Sequence, residues 1–380
     1  MSVESTICAL KQSGNYRHIP MPEDMGRYVD LSSNDYLGIA SRADLQNEFF
    51  ERCGSRIPAM TSSASRLLAH NQDEYYALET TLSNLFGGRP ALLFNSGYHA
   101  NTGLLSALAS EPGTLIVADR LVHASMIDGM VLSRKPFKRF AHNDIGQLKR
   151  IVEREYDGCE RIIVAVESVY SMDGDSADIE ALIELKRRYP KIWLYVDEAH
   201  AFGVCGPAGL GLSMGSSAAE EVDVIVGTFG KAAASMGAFA VTTPEIHEYA
   251  VNRSRSFIFS TALPPICCAW TRFVVERMTG MDAERRHLAD LAAKLHGSLT
   301  ELSPDATSKA PSHIIPYIVG DPKLAVEMSS RLLEAGFKVL PIRTPTVPPG
   351  TERLRISLSA SLTMGDAERF GKAFNEVLCR

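Results

Sequence analysis

The stretch VDVIVGTFGKAAASM, residues 222–236, carries the fold decision in this chain. Its opening is apolar and β-branched (Val222, Val224, Ile225, Val226), which reads as a strand buried on both faces. Gly227-Thr228-Phe229-Gly230 ends the strand abruptly, and Lys231 follows with only small residues after it. An ammonium group is costly to bury, so a lysine here either points to water from a surface turn or sits in a pocket that lowers its pKa. A Schiff-base lysine is of the second kind. This segment alone leaves both readings open.

Working outward, the same grammar repeats. ALLF (91–94) leads to a helix from about Tyr98, and TLIVAD (114–119) to one from about His123. RIIVAV (161–166) precedes a helix over 178–189, and IWLYVD (192–197) follows. Continuously apolar strands alternating with helices predict an α/β architecture with a large, mostly parallel sheet covered on both faces. After Pro264-Pro265 a long helical pattern begins near Ile266. A smaller α+β unit then follows: IIPYIV (314–319), a helix over 323–335, FKVLPI (337–342), RLRISLSA (353–360) and a closing helix from about Asp366. The expected organisation is an N-terminal arm (1–36), a large domain (37–270) and a small C-terminal domain (271–380). LSSNDYLG (31–38) reads as a turn entering a helix.

Composition narrows the function classes. The chain has 380 residues, 45% hydrophobic and 22% charged, with a net charge of −6. That balance suits a soluble globular protein and lacks the basic excess of a nucleic-acid binder. Its seven cysteines are scattered, with no metal-ligand spacing, which suits a reducing compartment. MSVESTICALKQSGNYR lacks the pattern of a signal peptide, and no apolar run is long enough to span a bilayer. The expectation is a cytoplasmic protein with no metal and no membrane partner.

In an open α/β sheet, ligands gather at the carboxyl ends of the strands. After ALLF comes Asn95-Ser96-Gly97-Tyr98-His99, where a helix N-terminus presents backbone N–H groups to a phosphate; a plain strand–helix turn looks the same. His123 follows the next strand, and ESVYSMDGD (167–175) the one after. Asp197-Glu198-Ala199-His200 closes the fourth. A carboxylate there is costly unless it caps a loop or faces a cation or a protonated heterocycle. Phosphate cradle, imidazole, buried carboxylate and shielded lysine together are what pyridoxal phosphate requires.

These residues stand in an order that resembles the α-oxoamine synthases, fold-type I pyridoxal-phosphate enzymes that join an amino acid to an acyl thioester with loss of CO2. The likeness runs through SSNDYLG (32–38), NSGYHAN (95–101), DRLVHASMIDG (119–129), ESVYSMDGD (167–175), VDEAHAFGVCGPAGLG (196–211), GTFGKA (227–232), FSTALPP (259–265) and RLRISLSA (353–360). It implies that Lys231 carries the cofactor and moves the α-proton, that Asp197 pairs with the pyridine nitrogen and that His123 stacks on the ring. His200 and Ser171 would hold ring substituents. Gly97, Tyr98 and Thr228 would bind cofactor, and Thr261 would reach the phosphate of a partner subunit in a homodimer with shared sites. Asn34 and Arg355 would orient the amino acid, with Arg353 as a solvated neighbour. Thr346 and Arg17 would contact substrate. The small residues after Lys231 would leave room for the ring.

Within that family, IRTPTVPPGTERLRI (342–356) is most similar to members that take L-alanine and a pimeloyl thioester, carried by coenzyme A or an acyl carrier protein. Glycine- or serine-using members with other acyl chains are the same-class alternative. A non-catalytic homologue and a nucleotide-binding α/β protein are the others; the second lacks a GxGxxG fingerprint. The chain departs from the family's glycine-rich segment at TSSASRLLAHN (61–71).

Overall fold

The five apolar runs lie side by side in one seven-stranded sheet. The computed structural model describes residues 2–17, 19 and 25–379. In chain order its strands are β1 (Val29–Asp30), β2 (Ala91–Phe94), β3 (Thr114–Asp119), β4 (Phe137–Phe140), β5 (Arg161–Glu167), β6 (Ile192–Asp197), β7 (Val224–Thr228), β8 (Ala238–Thr242), β9 (Ile314–Ile318), β10 (Phe337–Lys338), β11 (Leu340–Ile342) and β12 (Arg353–Ser357). The large sheet has the order β2-β8-β7-β6-β5-β3-β4. Pairs from β7 through β4 are parallel, whereas β8 runs antiparallel between β7 and β2. The parallel strands are almost wholly buried, which is why they read as unbroken apolar runs. Their carboxyl ends lie in register: Glu167 faces Asp197, and Asp197 faces Val226.

The chain divides into two compact units. One comprises Gly38–Tyr170 and Ser176–Asp282 and holds the large sheet. Its core packs Leu104 and Leu105 of the helix Gly97–Ala109 and Met126 and Met130 of the helix Ala124–Leu132 against Ile116, Ile163 and Val226. The other comprises the chain up to Leu37, Ser171–Asp175, and Ala283 onward. It contains the antiparallel sheet β11-β12-β9 and the helices Pro322–Glu334 and Met364–Leu378.

These units differ from the boundaries read in the sequence. The N-terminal segment is not a separate arm, because β1 pairs in parallel with β10, Val29 opposite Phe337. The later division falls after Asp282 and not at 270, since the helix Pro265–Met278 stays with the sheet unit. Ser171–Asp175 joins the second unit through two arginines of β12. Arg353 bridges Asp173 at 2.6 Å and donates to the Met172 carbonyl, while Arg355 Nε donates to the Ser171 carbonyl at 2.7 Å. Arg353 is 4% exposed, so the solvated role expected for it is wrong: the Asp173 carboxylate lets it stay buried. The helix expected directly after Gly38 begins only at Ala43, and the helix Val3–Gln12, whose Val3, Ile7 and Leu10 recur at helical spacing, buries no residue.

Two backbone positions connect sequence to stability. Gly227 lies in β7 against the Phe239 ring; a Cβ there would stand 2.3 Å from ring atoms already packed on Phe229 and Phe202. Ser63, in the segment that departs from the family's glycines, adopts φ 48°, a region glycine enters without steric cost. Gly227→Ala should therefore destabilise the protein by about 1–3 kcal/mol. Ser63→Gly should leave it unchanged or raise stability by up to about 1 kcal/mol. Urea unfolding of the two variants against wild type reads both; equal midpoints for Gly227→Ala and wild type would refute the packing argument.

Candidate active site

Gly97, Tyr98, His123, Asp197, His200, Thr228 and Lys231 line one cavity of roughly 180 Å3 at the carboxyl ends of the parallel strands. Asn101, Ser125, Glu167 and Ala199 complete the lining. Each side chain arrives by a local rule. Lys231 lies in the turn joining β7 to β8, where Thr228 Oγ1 donates to the Gly237 carbonyl and accepts from the Gly230 N–H. Trp270 Nε1 donates to the Ala234 carbonyl and fixes the far side of the turn. Ala232 and Ala233 are buried and do not line the cavity, so they pack the turn against the core instead of making room for a ring.

Lys231 Nζ is 2.6 Å from His200 Nε2. An ammonium group can only donate, so His200 presents a lone pair to it. His200 is held by the short turn after β6, whose other carboxylate, Glu198, faces away. Glu198 is fully buried and accepts the N–H groups of Leu212 (3.0 Å) and Ser213 (2.7 Å); burial pushes its carboxyl pKa up. Asp197 is 4% exposed. Its Oδ1 accepts the Ala199 N–H at 2.9 Å and its Oδ2 accepts Asn101 Nδ2 at 2.7 Å.

His123 caps the helix Ala124–Leu132, its Nδ1 accepting the Ser125 N–H. Its ring opens to the cavity, yet enough atoms surround it that desolvation lowers its pKa; Lys231 adds to the lowering, while Asp197 and Asp128 oppose it. At the helix Gly97–Ala109 the N-cap is Ser96, which accepts the His99 N–H. The Gly97 and Tyr98 N–H groups thus remain as the first-turn donors that a phosphate takes. Tyr98 also donates from its hydroxyl to Asp128, and that hydrogen bond raises the phenol pKa.

The remaining expected residues lie elsewhere. Thr261 is exposed, belongs to the sheet unit and does not line its cavity; its carbonyl accepts Asn95 Nδ2 at 2.6 Å. Ser171, Asn34, Arg355, Arg17 and Thr346 belong to the second unit. There Asn34 Oδ1 accepts from Arg355 Nη2 (3.1 Å) and from the Tyr36 hydroxyl (3.1 Å). Arg17 Nη2 donates to Thr346 Oγ1 at 3.3 Å and to the Thr344 carbonyl. Arg343 stands close enough to Arg17 for its own pKa to be lowered, chiefly by burial and then by that charge. Sequence reasoning passed over Asn101, Ser125 and Tyr195. The available signal was an asparagine on the buried side of an otherwise apolar helix, which also fits an ordinary satisfied core amide.

The cavity suits pyridoxal phosphate by its donor set: helix N–H groups for a phosphate, a buried carboxylate, an imidazole and an amine beside a second imidazole. Among the described residues no helix is long and apolar enough to cross a membrane. Comparison with known proteins agrees with the chemistry. The model of the aminotransferase class I and II family matches residues 27–374. A Pasteurella multocida protein, provisionally named 8-amino-7-oxononanoate synthase, is 46% identical over 98% of both chains. A serine palmitoyltransferase from S. paucimobilis with a bound PLP–myriocin aldimine superposes with TM-score 0.88 at 26% identity, covering 100% of this chain and 98% of that one. The 8-amino-7-oxononanoate synthase of Francisella tularensis gives TM-score 0.75 at 27% identity over 93% and 98%. With the fold, the cavity and these likenesses in agreement, the chain belongs to the aminotransferase class I and II family and is a pyridoxal phosphate-dependent acyltransferase.

Proposed function

We propose that this enzyme condenses L-alanine with a pimeloyl thioester, releasing CO2 and forming 8-amino-7-oxononanoate for biotin synthesis in the cytoplasm. The observation that carries the reading is the Lys231–His200 pair in the cavity that Asp197 and His123 share. The bound cofactor supplies an electron sink for negative charge developing at the amino-acid α-carbon. Lys231 holds the cofactor and, when released as a neutral amine, takes the α-proton at Nζ. His200 Nε2 holds the amine in place between these tasks. Asp197 meets the positive ring nitrogen, and His123 covers the ring face. Gly97 and Tyr98 N–H groups, with Thr228, bind the phosphate end.

Arg355 is the residue for the amino-acid carboxylate. Its Nε and Nη2 are already engaged by Ser171, Asn34 and Tyr36, which fixes the guanidinium plane and leaves Nη1 for a ligand. Arg17 and Thr346, already in contact, are the residues for the acyl substrate.

Side-chain identity favours alanine: the relative named for the pimeloyl reaction is 46% identical, against 26% for the serine palmitoyltransferase. Backbone likeness favours the serine-using reading, with TM-scores of 0.88 against 0.75. Substrate choice is made by side chains, so identity supports the alanine reading.

The sheet unit also exposes Val131, Leu132 and Phe259, which line an open groove together with Arg134 and Arg255. A second copy of the chain covers this face and receives Thr261, which does not line the cavity of its own sheet unit.

Purified enzyme supplied with alanine, glycine or serine and a range of acyl thioesters should turn over fastest with alanine and a pimeloyl thioester, read by product mass. A preference for serine with a long-chain thioester would replace this reading with the other. Lys231→Ala should reduce turnover by at least about a thousandfold, as loss of a covalent and proton-transfer group requires. Arg355→Ala should raise KM for the amino acid by about tenfold or more while leaving the thioester KM within about twofold. Light scattering should give twice the chain mass, and Phe259→Glu should shift it toward the single chain. A wild-type monomer of full activity would refute the shared-site dimer.

A further inference from the structure

One polar cluster beside the cavity has been given no task. Asn101 lies on the helix Gly97–Ala109 at 1% exposure, and its side chain touches three residues, two of them in β6 and one in the helix Ala124–Leu132. Nδ2 donates to Asp197 Oδ2 at 2.7 Å and to Ser125 Oγ at 3.0 Å, and Oδ1 accepts the Tyr195 hydroxyl at 2.8 Å. Ser125 Oγ in turn lies 2.7 Å from His123 Nδ1. Close packing makes these reaches available: a Cβ on Gly129 would stand 2.8 Å from the Asn101 main-chain carbonyl oxygen, so the two helices approach backbone to backbone.

The donors run in one direction only. A carboxylate accepts, so the Asn101 amine must face Asp197. The reverse orientation would set the amide oxygen against the carboxylate. The Tyr195 hydroxyl, fully buried and with its pKa raised well above the ordinary phenol value, donates to Oδ1 and locks that choice. With its first N–H on Asp197, the amine gives its second to Ser125 Oγ. His123 Nδ1 accepts the Ser125 backbone N–H at 3.2 Å, and with Nδ1 an acceptor the Ser125 hydroxyl, which accepts from Asn101, donates its own proton to it. An imidazole that receives two donors at Nδ1 is neutral and carries its proton on Nε2.

We propose that Asn101 is a positioning residue for the cofactor: one amide, anchored by Tyr195, aims Asp197 and, through Ser125, holds His123 as the neutral Nε2–H tautomer. The consequence is electrostatic. A neutral imidazole over the ring does not compete with the ring nitrogen for Asp197, so the carboxylate's attraction is reserved for the ring. The proposal rests on the assignment of Asp197 and His123 to the cofactor ring made above.

The test uses holoenzyme and three variants. Asn101→Ala removes both donations, Asn101→Asp preserves size and shape but removes the amine, and Ser125→Ala cuts only the branch to His123. The readouts are the pyridoxal phosphate dissociation constant after reconstitution and the 15N signals of the His123 ring. Wild type should show an unprotonated Nδ1 and a protonated Nε2. Asn101→Ala and Asn101→Asp should bind cofactor about tenfold or more weakly and lose that single-tautomer pattern. Ser125→Ala should lose the tautomer pattern with cofactor affinity within about threefold of wild type. An Asn101→Asp holoenzyme with wild-type affinity and an unchanged His123 pattern would show that only the shape of the side chain matters, and the proposal fails. If Asn101→Ala does not fold, an unchanged His123 pattern in Ser125→Ala overturns it as well. Wild type that binds no pyridoxal phosphate would instead remove the underlying assignment.

Discussion

The carboxylate of Asp197 sits at the carboxyl end of β6, in the middle of a sheet buried on both faces, and the rest of the cavity is built around the cost of keeping it there. An ionised group removed from water loses its hydration, so each oxygen must find donors or a cation. Here Ala199 supplies one donor from the following turn and Asn101 supplies another from the facing helix. Those contacts fix the carboxylate without neutralising it, because an amide and a peptide N–H carry no net charge. A cation in the cavity would complete the balance, which is the role proposed above for the ring nitrogen. The next residue along, Glu198, shows the alternative outcome: its oxygens are consumed by the loop backbone at Leu212 and Ser213, and it has no part in the cavity.

The second unit solves a related problem with the opposite sign. Arg353 and Arg355 project from the same face of β12 and both are buried. Arg353 is matched by a carboxylate, Asp173, and its charge is spent on holding the segment Ser171–Asp175. Among the described residues Arg355 is matched by neutral acceptors: the Ser171 carbonyl, Asn34 Oδ1 and the Tyr36 hydroxyl. Neutral acceptors orient a guanidinium and leave its charge uncompensated, which is the condition for recruiting an anionic ligand. Two arginines two residues apart thus differ in whether a carboxylate meets them, and the difference lies in Asp173.

That difference was not legible in the sequence, and the reason is general. The parallel strands could be read because burial on both faces demands an unbroken apolar run, a property of each strand by itself. The antiparallel β8 has the same apolar signature as its neighbours, so its direction is set by the short Lys231 turn and not by composition. Lys231, Asp197, His123 and His200 could be read because each ends a strand or follows one closely. Arg353 was misjudged because its partner is 180 residues distant in the chain. Asn101 was missed because a single buried amide has the same appearance in a sequence whether it satisfies the core or orients a functional carboxylate. The small residues after Lys231 were explained by the wrong cause: Ala232 and Ala233 answer to core packing, not to ligand size.

Where the chemistry is decided also explains why backbone likeness divides so poorly among relatives. The Lys231 turn, the β6 end and the two helix N-termini belong to the sheet scaffold, and any member that uses the same cofactor needs them. A superposition therefore registers the shared requirement and is insensitive to the acyl chain. In this protein the acyl-end candidates Arg17, Arg343 and Thr346 form their own cluster of two guanidinium groups and a hydroxyl. Two like charges held close together disfavour one another; burial first, and then the Arg17 charge, lower the Arg343 pKa. An anionic group relieves that repulsion, whereas an uncharged hydrocarbon tail cannot. A dicarboxylic acyl chain ends in such an anion and a fatty acyl chain does not, so charge at this cluster favours the pimeloyl thioester on grounds independent of overall identity.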